Sequence, residues 1–386
     1  MSLSTYEERW RRIDAAAHGG VPDRVPVILG MDFFAARQRG MKTSEFIWGG
    51  EKARLVQQEL AEKIQPDGVM IGSPLHPVLF QLIWPTKMSL PGRELSDDAI
   101  WQFNENGQDP VMVEEDYDFI IEHGWNAFVP KIIERCVDYM PGEEVFPKLM
   151  EISEQVPRDT EAWKEQGIVV FCSKADVSPF EIFSAGRTIS QFFLDLYRRP
   201  QKVIDAMNAA LPDILAVSLQ VMKNSGVNRI FIGETRANGA FLSLEKYEKF
   251  CHPIMMAMLK AYSDAGIEVM LHYDQDCTPD LPYFLEYPGE GLVLHTDSFT
   301  DIFQAKKILA GHIALKGDVS PTMLTLGTPE EVDVYCKRLI GEVGRGGGFI
   351  LSQGCDIPID AKLENVEAMV QAAHRYGVYQ DGKLPS

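Results

Sequence analysis

One pattern limits the fold of this chain more than any other. A short apolar run, a polar or glycine-containing break and a helical stretch follow one another eight times. The runs occupy residues 25–29, 68–71, 168–171, 229–232, 267–271, 292–294, 313–315 and 348–351. Their near-continuous hydrophobicity fits parallel strands covered on both faces, since a half-exposed strand would alternate. Helical patterns fall between them at 52–64, 187–197, 200–223, 244–265 and 298–309. Strands and helices alternating in this way predict an α/β protein, a (β/α)8 TIM barrel, ahead of a doubly wound open sheet.

Two additions frame the barrel. Ser4-Thr5-Tyr6-Glu7 is a capping-box sequence and predicts an N-terminal helix that stops at Gly19-Gly20. Thr328-Pro329-Glu330-Glu331 opens a further helix, and 363–376 closes the chain. The interval between the second and third strands, about a hundred residues, is too long for one crossover. It reads as an insertion at roughly 74–166, with helices at 114–137 and 143–155, covering part of the barrel mouth. A length of 386 residues suits one barrel with such an insertion, so 1–386 is expected to form a single domain.

The formal net charge of -19 argues against a broad nucleic-acid or anionic-membrane surface, which would need clustered Lys and Arg. No CxxC pair, no apolar N-terminal signal and no stretch of the roughly 20 apolar residues a spanning helix requires is present. A cytoplasmic protein is expected, with a homodimer as an open alternative.

Barrels of this kind carry their chemistry at the carboxyl ends of the strands. Those ends hold Asp32, Ser73 with His76, Cys172 with Lys174 and Asp176, Glu234, His272 with Asp274 and Asp276, Asp297, Asp318, and Cys355 with Asp356. Acidic residues also cap helices in such loops, so each alone reads most simply as structural. His272 and Asp274 differ. Two positions apart on one strand, they point the same way and can both face the barrel axis. Cys355 ends the eighth strand and can converge on the same point. Imidazole, carboxylate and thiolate match Zn²⁺ in charge and leave a coordination position open. The competing reading is a strand-capping histidine and a small buried cysteine. Gly344, Gly346, Gly347 and Gly348 precede the eighth strand, so they read as a turn and not as a phosphate loop. Phe33, Phe34 and Tyr273 are expected to line the mouth.

Several segments together resemble the uroporphyrinogen decarboxylase superfamily. They are Pro22-Asp23-Arg24-Val25-Pro26-Val27, Pro91-Gly92-Arg93-Glu94-Leu95, Gly317-Asp318-Val319-Ser320-Pro321, Leu326-Gly327-Thr328-Pro329-Glu330-Glu331-Val332, and the stretch from Gly347 to Pro358 around Cys355. The superfamily divides into decarboxylases and corrinoid-linked (methylcobamide) methyltransferases. Decarboxylases carry an Arg-rich segment at the first strand end that grips the carboxylates of the tetrapyrrole. Here that end reads Gly30-Met31-Asp32-Phe33-Phe34, with Arg37 and Arg39 only later. The methyltransferases bind zinc through a His-x-Cys at the fifth strand end and a Cys at the eighth. His272 and Cys355 stand in those places, and Asp274 stands where the first Cys is expected. A hard oxygen in place of a soft sulfur leaves a more Lewis-acidic metal.

The resemblance thus implies a zinc-dependent methyltransferase. It would exchange a methyl group between a small methoxy, methylamine or thiol compound and a corrinoid. The corrinoid is expected on a partner protein, because no Asp-x-His-x-x-Gly motif occurs here. The expected metal ligands are His272, Asp274 and Cys355, with Glu234 as a displaceable fourth. Asp297 and Asp318 are expected to orient ligands or protonate the leaving group. Two readings compete: a decarboxylase using Asp32 without metal, and a non-catalytic barrel that binds a corrinoid or small molecule.

Overall fold

The computed structural model describes residues 3–105 and 109–384. Strands form where the apolar runs lie, and several continue toward their carboxyl ends. In barrel order they are Ile28–Leu29, Gly68–Ile71, Val169–Cys172, Arg229–Glu234, Glu268–Tyr273, Val293–Thr296, Ala314–Val319 and Phe349–Gln353. Neighbours pair in parallel throughout. The first three form one sheet, and the second sheet runs from the eighth back to Ala175–Val177, a short continuation of the third. Two links join the sheets. Ser173 N, in the break of the third strand, donates to Arg229 O at 3.1 Å. Val27 bridges Leu351, whose N–H donates to Pro26 O at 2.9 Å. The product is a TIM-barrel-like α/β fold.

Alternate residues of the strands meet inside the ring, where Ile28, Phe171, Met270, Val293, Ala314 and Ile350 pack together. The helix Leu3–Ala17 plugs the amino-end opening with Ile13, Ala16 and Ala17. It begins ahead of Ser4, the residue expected as its cap. The opposite opening is therefore the one left for a ligand.

The capping box expected at Thr328 and Glu331 opens the helix Pro329–Glu342, and the last helix is Leu363–Tyr376. Four helices differ from expectation, the 298–309 stretch being helical only over Ile302–Leu309. The 244–265 stretch divides into Leu244–Phe250 and His252–Asp264, because Pro253 lacks the amide that a continuous helix would use. The 114–137 stretch breaks at Gly124 (φ 81°) into Glu115–His123 and Trp125–Cys136. The next helix spans Gly142–Glu165, longer than the 143–155 expected. The insertion also holds the helix Pro77–Ile83 and an antiparallel pairing of Met88–Ser89 with Gln102–Phe103. Strands of two residues leave no periodicity to read in a sequence. No helix among the described residues is long and apolar enough to cross a membrane.

Candidate metal centre

Strand register decides which side chains meet. Gly233 of the fourth strand lies beside His272 of the fifth, and Glu234 lies beside Tyr273. His272 thus shares the axial face with a glycine, where a Cβ would meet the Phe231 ring at 3.0 Å. Its Nδ1 contacts the carbonyl of His295 at 3.1 Å, and its Nε2 lies 2.9 Å from Asp274 Oδ1. Thr235 Oγ1 donates to Asp274 Oδ2 at 2.9 Å, and the Cys355 thiol donates to Asp274 Oδ1 at 3.3 Å. One ligand atom from each of His272, Asp274 and Cys355 lies within 4.8 Å of the others.

These residues fit a divalent metal. A carbonyl facing Nδ1 fixes the proton there, so that a cation displacing the Nε2 contact with Asp274 would be met by the Nε2 lone pair. Tetrahedral zinc bonds of about 2.1 Å put neighbouring donor atoms about 3.4 Å apart. The 2.9 and 3.3 Å separations to Asp274 Oδ1 need a small outward shift, and the remaining pair, within 4.8 Å, a small inward one. Burial opposes ionisation of Asp274, yet the His272 imidazole, with hydrogen bonds from Thr235 and Cys355, holds its carboxyl down at about 2. Burial, then Asp274 and Asp356, push the Cys355 thiol well up. A bound cation reverses that bias, because a coordinating thiol is deprotonated outright.

The group opens into a cavity of about 440 Å³. The insertion supplies one wall through Phe80, Trp84 and Phe103, and Phe231 of the fourth strand supplies another. Phe33, Phe34 and Tyr273 do not line it. Phe33 packs edge-on to Trp101, Phe34 is buried in the main core, and Tyr273 stacks on Phe284 in the helix layer. Asp32 does line it, with Oδ1 accepting from Gln57 Nε2 at 2.7 Å. Burial and the facing Asp356 push the Asp32 carboxyl well up. Burial likewise pushes Asp356 up to about 6. A Cβ on Gly30 would lie 2.6 Å from Asp356 Oδ1, so this approach requires glycine.

Three expected residues lie outside the group. Glu234 is not a fourth ligand: one register position from Gly233, it turns to the outer face and accepts from Ser178 N (3.0 Å) and Ser178 Oγ (2.9 Å). Asp318 faces the helix Pro329–Glu342, accepts from Tyr335 Oη at 2.8 Å, and is pushed by burial up to about 7. Asp297 folds back on its own turn to accept from Phe299 N at 2.9 Å, near enough to His272 and Asp274 to feel their charges.

Other residues carry weight that the sequence did not announce. Thr235 follows the fourth strand with the same facing as Gly233, so alternation alone could have found it. Gln57, on a long amphipathic helix, carried no such signal. Lys316 is completely buried, with Nζ 3.1 Å from His295 Nε2, and burial pushes it down to about 7. A lysine ending an apolar strand was a readable sign.

Comparison with known proteins gives three results. A family model described as Uroporphyrinogen decarboxylase (URO-D) matches residues 143–376. The chain is 24% identical over 180 residues to the uroporphyrinogen decarboxylase of Syntrophotalea carbinolica, covering 47% of this chain and 50% of the relative. To the Coxiella burnetii protein of that name it is 29% identical over 90 residues, covering 23% and 25%. The matched stretches thus span half or less of the length of these relatives. A methyltransferase from Methanosarcina mazei superposes with a TM-score of 0.69 at 16% identity, covering 94% of this chain and 97% of that one. At that identity the likeness speaks for the fold.

Proposed function

The chain belongs to the uroporphyrinogen decarboxylase family, and we propose that within it the protein is a zinc-dependent, corrinoid-linked methyltransferase. Its substrates would be a small methylated compound and a corrinoid held by a partner protein. The observation that carries this reading is the convergence of His272, Asp274 and Cys355 in the lining of one cavity. The similarity of the whole barrel to a protein called a methyltransferase supports it.

When bound, zinc would supply Lewis acidity to the heteroatom that carries the methyl group. The chain's own residues do the rest. His272, held by the His295 carbonyl, presents Nε2; Thr235 fixes the second oxygen of Asp274. The aromatic wall of Phe80, Trp84, Phe103 and Phe231 excludes water from the methyl group. An oxygen ligand where relatives of this branch have sulfur favours oxygen or nitrogen substrates over thiols.

Decarboxylation of a tetrapyrrole fits the cavity less well. A polyanion needs free basic groups, and Arg236, the arginine among the lining residues, is already bound to Glu105 at 2.5 Å and Ser184 at 3.2 Å.

Metal analysis of protein purified without added zinc tests the proposal first. About one equivalent of zinc is expected, and less than about 0.2 equivalent of any transition metal rejects it. Methylation of cob(I)alamin from a panel of methoxy and methylamine donors then separates an enzyme from a barrel that only binds.

A further inference from the structure

We infer that Glu181 is a positioning residue of the metal centre, acting through Thr235. This rests on the zinc reading of His272, Asp274 and Cys355 and adds to it a carboxyl from the helix layer.

Glu181 lies in the helix Pro179–Gly186, which is capped by Ser178 and buried along its whole length. Its Oε1 accepts from three consecutive backbone amides: Thr235 N at 2.8 Å, Arg236 N at 2.5 Å and Ala237 N at 2.7 Å. These residues follow the fourth strand directly, where its ladder with the fifth has ended. Buried amides without an acceptor cost free energy, so the path of this turn depends on that one oxygen. The role does not need a charge. A protonated carboxyl keeps its carbonyl oxygen, so the burial that pushes Glu181 up to about 7 leaves the acceptor in place.

The turn leads straight to the metal group. Thr235, held through its amide, donates from Oγ1 to Asp274 Oδ2 at 2.9 Å. Threonine is β-branched and has few χ1 choices, so pinning its backbone aims its hydroxyl. That hydroxyl fixes one oxygen of Asp274 while the other faces His272 and Cys355. Arg236 is gripped a second time from the same helix, with Nη1 donating to Ser184 Oγ at 3.2 Å. Glu234, one residue before the turn, accepts from Ser178 and from none of these amides. The two buried carboxyls therefore divide their work: Glu234 meets the helix cap, and Glu181 holds the turn.

Zinc affinity of the whole chain, measured by competition with a chelator, tests this. Glu181→Met removes the acceptor and is expected to weaken zinc at least about tenfold. Glu181→Gln keeps a carbonyl oxygen and should stay within about twofold of the parent protein. In a Thr235→Val background, Glu181→Met should cost less than about twofold more, because the hydroxyl it positions is already gone. Hydrogen exchange at the amides of Thr235, Arg236 and Ala237 should quicken at least about tenfold in Glu181→Met, with or without zinc. If that variant fails to fold, Glu181→Asp, which withdraws the oxygen by one methylene, is expected to weaken zinc about threefold or more. A lowered Tm with zinc affinity unchanged would mark a carboxyl that only stabilises the fold, and overturns the inference. An equal loss in Glu181→Gln, losses that multiply with Thr235→Val, or unchanged exchange overturns it too. Parent protein that takes up no zinc rejects the metal reading itself, and this inference with it.

Discussion

The fourth and fifth strands lie side by side and end in carboxylates of opposite use. On the axial face, His272 and Asp274 meet Cys355, with Gly233 beside His272 in register. One position along, on the outer face, Glu234 meets Ser178 and the buried Glu181 beneath the helix layer. Both clusters are acidic, both are buried, and both sit at strand ends. The difference is one step of the pleat, which moves a side chain from the ligand cavity to the helix interface. Composition at a strand end therefore says little about chemistry until facing is known.

The harshest test of this contrast removes ligands on the axial face. His272→Ala and Cys355→Ala are each expected to carry less than about a tenth of an equivalent of zinc and to lose at least about 10³-fold in turnover. Circular dichroism should show an intact fold, because both side chains line the cavity and neither joins the main hydrophobic core. Metal retained in both variants would mean that the three residues do not form the site.

A smaller effect is expected one shell out. Thr235→Val removes the hydroxyl that donates to Asp274 Oδ2 at 2.9 Å while keeping side-chain volume. Zinc affinity, measured by competition with a chelator, should fall about 10- to 100-fold. Smaller still is Trp84→Ala in the insertion wall. It touches no ligand of the metal group, so KM should rise about tenfold with kcat within about twofold and zinc content unchanged. A collapse of kcat alone would place Trp84 in the chemistry.

These regions also differ in how much of them a sequence discloses. The strands were legible because eight apolar runs recur with helices between them, and period-two facing predicts that His272 and Asp274 point together. Cys355 was legible through its place after the last strand and through family resemblance. Glu234 was misplaced although the same rule governs it: the strand runs two residues past the 229–232 apolar run, and only the pairing with Tyr273 reveals its facing. The insertion and its longer helices were readable, and its shorter elements were not. Its helix Pro77–Ile83 and its two-residue strands carry no long period, and the rings that wall the cavity sit on these short elements, whose path is set by tertiary packing.

The mildest prediction falls on the outer face. Burial, then the facing Glu181, push the Glu234 carboxyl well up, and burial pushes Glu181 up to about 7. Unfolded, both titrate near about 4.3. Between those values the native state holds more protons than the unfolded chain, so stability falls as pH rises through the window. The loss is expected between about pH 5 and 8. Glu234→Gln keeps an acceptor for Ser178 N and removes one of the two charges. The decline should flatten, and the Tm at pH 8 should rise by about 2 °C or more. Because Glu234 faces away from the axis, zinc content and methyl-transfer turnover should stay within about twofold of the parent protein. Loss of zinc in this variant would put Glu234 back among the ligands and erase the distinction between the two faces.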